Sequence, residues 1–140
     1  CSLCFMCITL AADCDLVAAT SCGCYFHGMT GIYAMYFTGS AGSGHAVFVM
    51  KDGIVAGADT VGGVLDGTYK SASEGYLDVT VTLTVPPGAW LVTGAVAGDQ
   101  PMPQEIKARL PENLGGGNPV TVQTPTGPVN VIFKRLRDLP

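Results

Sequence analysis

Charged side chains are scarce in this 140-residue chain, with Asp, Glu, Lys and Arg together making up 13% of it, about half the usual share of ~25%. Seven residues are basic and 11 acidic, for a formal net charge of −4. Basic residues gather only as Lys134, Arg135 and Arg137 near the C-terminus. A nucleic-acid surface needs a broader basic stripe to neutralise phosphates, so no direct nucleic-acid partner is expected. Long apolar runs are missing too. No stretch of 18 uncharged apolar residues occurs, which argues against a membrane-spanning helix. Histidine and tryptophan are rare, at two and one, and cysteine is absent after Cys24. What is abundant is small and apolar: 48% of the residues are hydrophobic and 19 are Gly. Such a chain can build one core, and its length suits one domain.

All six cysteines (Cys1, Cys4, Cys7, Cys14, Cys22 and Cys24) lie in the first 24 residues, so the two parts of the chain obey different constraints. Thiolates spaced as Cys1-x-x-Cys4-x-x-Cys7 and Cys22-x-Cys24 have the reach of zinc or cluster ligands. The residues between them are apolar, however, and His27 is the only histidine near them. A secretion leader ending at Ala19-Thr20-Ser21-Cys22 is a second reading, but a leader needs a basic start. No Lys or Arg precedes Lys51, and Asp13 and Asp15 interrupt the apolar run. A disulfide framework is a third. The fourth, adopted here as the expectation, is a Cys-rich upstream extension over 1–28 outside the fold, with Met29 opening a single domain over 29–140.

From Met29 onward, short β-type runs alternate with Gly, Pro, Asp, Asn and Ser punctuation. Gly31 to Thr38 is followed by a glycine loop, Gly39 to Gly44, and then by His45 to Lys51. Asp52-Gly53 is a strong two-residue hairpin signal before Ile54 to Ala58. Val64 to Lys70 follows, with Asp66-Gly67 read as turn chemistry. In the most regular run, Leu77, Val79, Val81, Leu83 and Val85 alternate with Asp78, Thr80, Thr82 and Thr84. One face in a core and one in water means an antiparallel sheet. Trp90 to Ala97 reads as a further strand, and Gln104 to Leu110 as a strand or one or two helical turns. Val120 to Thr124 and Val129 to Arg137 complete eight or nine strands. The expected fold is an all-β, small antiparallel up-and-down barrel of about eight strands, which leaves no exposed edges. A two-sheet sandwich is the alternative.

The sites of chemistry are thin. His45 is the only histidine inside the domain, and Gly42-Ser43-Gly44 lacks the frame of a nucleophile elbow. Gly39-x-x-Gly42-x-Gly44 has no following helix to hold a phosphate. Asp52, Asp59, Asp66 and Asp78 lack the alternating spacing of a calcium loop, and Asp59 is expected to bond backbone amides in a turn. No catalytic residue, cofactor or metal site is assigned to the domain. Tyr33, Met35 and Phe37 share one face of the first strand, Phe48 and Met50 one face of the second, and Trp90 either caps a barrel mouth or packs in the core. Such side chains fill a small barrel. Alternatively they line a space for one small apolar ligand, a use that suits the adaptable methionines.

Gly31-Ile32-Tyr33, the glycine loop, Ala46-Val-Phe-Val-Met-Lys-Asp-Gly53, Gly57-Ala58-Asp59 and Asp66-Gly67-Thr68-Tyr69 together resemble the opening of the GrlR-like proteins, named for a negative regulator of type III secretion. The resemblance spans 29–85. It implies a lipocalin-like eight-stranded barrel, a bacterial cytoplasmic location, a homodimer, and action by binding a transcriptional activator. The founding regulator of that family carries an acidic run on an exposed loop for partner recognition. The matching stretch here, with Lys70, Ser71, Ser73 and Glu74 as candidate partner contacts, holds a single carboxylate. The leading expectation is therefore a non-catalytic regulatory or interaction module. The alternative is a lipocalin-like binder of a small hydrophobic ligand.

Overall fold

Alternation of apolar and polar side chains is realised as successive antiparallel ladders. The computed structural model describes residues 30–140, so the readings of the six cysteines, of a leader and of a start at Met29 lie outside the described residues. Eight strands follow one another: β1 (Gly31–Gly39), β2 (Gly42–Lys51), β3 (Ile54–Asp59), β4 (Val64–Ser71), β5 (Tyr76–Val85), β6 (Met102–Pro111), β7 (Val120–Thr124) and β8 (Gly127–Asp138). They form one sheet in the order β6-β5-β4-β3-β2-β1-β8-β7. Each strand pairs antiparallel with its chain neighbour except across β6 and β7, and β8 returns to pair with β1. The sheet thus curls into a nearly closed up-and-down barrel, with its seam between β6 and β7.

Interior positions recur every second residue. Leu77, Val79, Val81 and Val85 of β5 are buried, whereas Thr80 and Thr82 are exposed. The same rhythm buries Ala46, Phe48 and Met50 on β2 and Val129, Val131 and Phe133 on β8. Asp52 and Gly53 take φ of 53° and 81°, the doubly left-handed turn that Asp-Gly favours between strands.

Several expectations are corrected. Gly39 to Gly44 is not a loop: β1 and β2 run through it to a tight turn at Ser40-Ala41, with Gly39 paired to Gly42. Asp66-Gly67 is not a turn but lies inside β4, where a Cβ on Gly67 would stand 2.1 Å from the carbonyl oxygen of Thr80. The glycine marks close backbone approach in a coiling sheet, not a reversal. Of the two readings of Gln104 to Leu110 the strand holds, with no helical turn. Its Pro103 and Pro111 are tolerated because β6 is paired on one side only. Trp90 to Ala97 is not a ninth strand. It forms a small hairpin within the long connection from β5 to β6, closed by a single bridge between Trp90 and Val96.

The barrel ends differ. At the end where β1 begins and β8 finishes, Tyr33, Met50 and Leu77 are fully buried, and Leu114 of the β6–β7 connection packs against them. Arg135 locks this end. It donates to the Tyr33 hydroxyl (3.1 Å) and the Thr30 carbonyl (2.7 Å), and also bonds the Asp138 carboxylate. The opposite end carries the long β5–β6 hairpin.

Candidate functional site: an apolar cavity under a hairpin

Below that hairpin the barrel is hollow. A cavity of ≈ 220 Å³ extends inward from the mouth, lined from β1 and β2 by Met35, Phe37, Phe48 and Met50 and from β8 by Val131 and Phe133. The lining is apolar because these positions alternate inward on strands whose other faces meet solvent. Space remains in part because inward positions on neighbouring strands are small. Gly57 faces Phe48 so closely that a Cβ would lie 2.3 Å from the Val47 carbonyl oxygen, and Ala108 stands at an inward position of β6.

Of the six residues expected to line a cavity, Met35, Phe37, Phe48, Met50 and Trp90 do so. Tyr33 does not; it belongs to the locked end, where its ring stacks on Phe48 at 5.4 Å and receives Arg135 at 5.5 Å from its centroid. Trp90 caps the mouth and is not core, since 71% of it is exposed. The connection it sits on crosses the opening and is fastened to the far rim: the Ala41 amide donates to the Val92 carbonyl at 2.8 Å, and Thr93 Oγ1 donates to Thr126 Oγ1 at 2.8 Å. Leu91 and Val92 thereby face the cavity. Sequence reasoning missed these two, along with Gln104, Ile106 and Ala108. A signal did exist: Gln104, Ile106, Ala108 and Leu110 alternate with Glu105, Lys107 and Arg109, which would have separated strand from helix.

The remaining candidates lie elsewhere. Asp59, at the mouth, is held by a turn: its Oδ1 accepts from the amides of Val61 (3.1 Å) and Gly63 (2.6 Å). His45 is exposed on the outer face of β2, its ring beside Tyr36. Lys70 and Ser71 end β4, and Ser73 and Glu74 occupy the β4–β5 connection, all at the locked end opposite the cavity mouth. Lys70, Ser73 and Glu74 are exposed, with Glu74 at φ 61° in a short 3-10 turn. Ser71 Oγ is enclosed without a hydrogen-bond partner among the described residues. Among those residues no group of three or more His, Cys, Asp or Glu is gathered as a metal site would require, and no helix is long and apolar enough to cross a membrane.

No protein-family model matches the chain, and no curated protein matches it either.

Proposed function

We propose that this barrel binds a small apolar molecule in its interior and performs no reaction on it. The supporting observation is the ≈ 220 Å³ apolar cavity closed over by the Leu91-Val92 hairpin. An apolar hollow of roughly 150 Å³ suffices for benzene, so this one suits a molecule of about nine non-hydrogen atoms by the same packing. Calorimetric titration with alkylbenzenes and with indole tests the idea. Saturable binding with a negative heat-capacity change is expected, because apolar surface leaves water. Ala108→Leu fills the hollow and should weaken binding at least about tenfold. It should also leave the fold intact and raise stability by about 1 kcal/mol, since the added carbons are buried without overpacking. Failure of every probe to saturate, or unchanged binding by the filled variant, would overturn the proposal.

A second reading has its own observation. Tyr36, Val47, Val49, Ile54, Val64 and Ile132 form an exposed apolar surface on the outside of β1–β4 and β8, and apolar patches of this kind mark protein contacts. This surface suits an interaction module; that it is a cytoplasmic dimer with a transcriptional activator as partner rests on the resemblance to GrlR-like proteins. The two readings are compatible, because one uses the inside of the barrel and the other its outer wall.

A further inference from the structure

Resting on the interior-binding proposal, a more specific inference concerns the chemistry of the ligand. Gln104 is the one amide of the lining, whose other polar side chains are Asp59 and the hydroxyls of Ser43, Thr60, Thr93, Thr124 and Thr126. It is 5% exposed, occupies an inward position of β6 and lines the cavity. Its oxygen is turned toward the hydroxyls of the rim. Thr93 Oγ1 donates to Thr126 Oγ1, whose own proton has two acceptors in reach, Thr124 Oγ1 at 3.3 Å and Gln104 Oε1 at 3.4 Å. Thr124 Oγ1 spends its proton on the Gly127 carbonyl at 2.7 Å. With the oxygen on that side, Gln104 Nε2 has no protein partner among the described residues. It is open to the hollow rather than enclosed, and a ligand that displaces water from it keeps its affinity only by supplying an acceptor. Charge narrows the class further. Asp59 is the only ionisable residue of the lining, and no Lys, Arg or His belongs to it. A carboxylate would enter uncompensated, against a like charge.

We infer that the cavity selects neutral molecules bearing a carbonyl-type acceptor, received by Gln104 Nε2, over both hydrocarbons and organic anions. Acetophenone, α-methylstyrene and benzoate are nearly equal in size and differ in that one feature. On the full chain, Gln104→Leu should weaken acetophenone and leave α-methylstyrene unchanged or tighter, changing the ratio of the two dissociation constants by about fivefold. Benzoate should bind least. In the unmodified protein, the Gln104 side-chain NH2 protons should move further downfield with acetophenone than with α-methylstyrene, whose ring current alone acts on them, a readout that survives if the variant folds poorly. If both neutral probes bind while the ratio is unchanged and the two shift the Gln104 resonances alike, the inference fails and interior binding stands. Benzoate binding as tightly as acetophenone overturns it equally. If none of the three binds, interior binding falls and the inference with it.

Discussion

At the scale of single residues, the locked end concentrates the groups whose ionisation the fold resists. Burial is the main cause that pushes the Tyr33 hydroxyl above its ordinary value of 10.0, with the Arg135 guanidinium pulling the other way. Burial likewise raises Tyr69, against hydrogen bonds with Gly53 and Thr30. Both folded values lie above the unfolded one, so the folded state holds its phenolic protons longer. The associated stability is complete below pH 10 and is lost as pH rises through the raised values. Denaturant midpoints measured between pH 8 and 11.5 should therefore fall on the alkaline side. The fall should be shallower in Tyr33→Phe and Tyr69→Phe, which cannot ionise. An alkaline limb unchanged in the double variant would assign it to other groups. Exposed pairs such as Arg109 with Asp78 at 3.2 Å are worth ~0–1 kcal/mol and do not compete with this effect.

At the scale of elements, strands whose two faces differ in polarity were readable and the connection over the mouth was not. β5 announces itself because Val79 and Val81 face the core while Thr80 and Thr82 face water, and the Asp52-Gly53 turn follows from local backbone preference alone. Trp90 to Ala97 misleads because its apolar residues serve a tertiary purpose: Leu91 and Val92 face a hollow, held there by the Ala41 amide on the Val92 carbonyl and by the Thr93 hydroxyl on Thr126. Asp66-Gly67 misleads for a related reason. Its glycine answers to Thr80 on the neighbouring strand, which no local rule can see. Gln104 could be placed inside only once its strand was certain. The hairpin's attachment is testable through Gly39, where a Cβ would lie 2.5 Å from the Val92 carbonyl oxygen. Gly39→Val should push the hairpin off the β1–β2 turn and cost the Ala41–Val92 bond. Ligand exchange is expected to accelerate about tenfold, the kinetic equivalent of about one lost hydrogen bond. Trp90 emission should shift red while the β circular-dichroism signal is kept. Unchanged exchange would mean the hairpin does not control access.

At the scale of the whole molecule, polar and apolar side chains are unevenly spread over the outer wall. Outward positions on β5 and β6 include Asp78, Thr80, Thr82, Glu105, Lys107 and Arg109, where Thr80 faces Lys107 and Thr82 faces Glu105 across the ladder. Across β2 to β4 the ladder instead aligns Val47, Ala58 and Val64, with Val49 and Ala56 alongside and Lys51, Asp66 and Lys134 at its margins. A two-fold dimer would bury the same patch twice. Val47, 47% exposed in this row, is the residue to change. Val47→Lys keeps its long stem on the sheet with the charge in water, so folding stability should stay within about 0.5 kcal/mol. If the face pairs two copies, light scattering at micromolar concentration should give twice the 14.4 kDa chain mass for the unmodified protein. The variant should give the single mass, with interior ligand binding unaffected. A monomeric parent protein, or a dimer indifferent to a lysine at this position, would remove self-association as the use of the apolar wall.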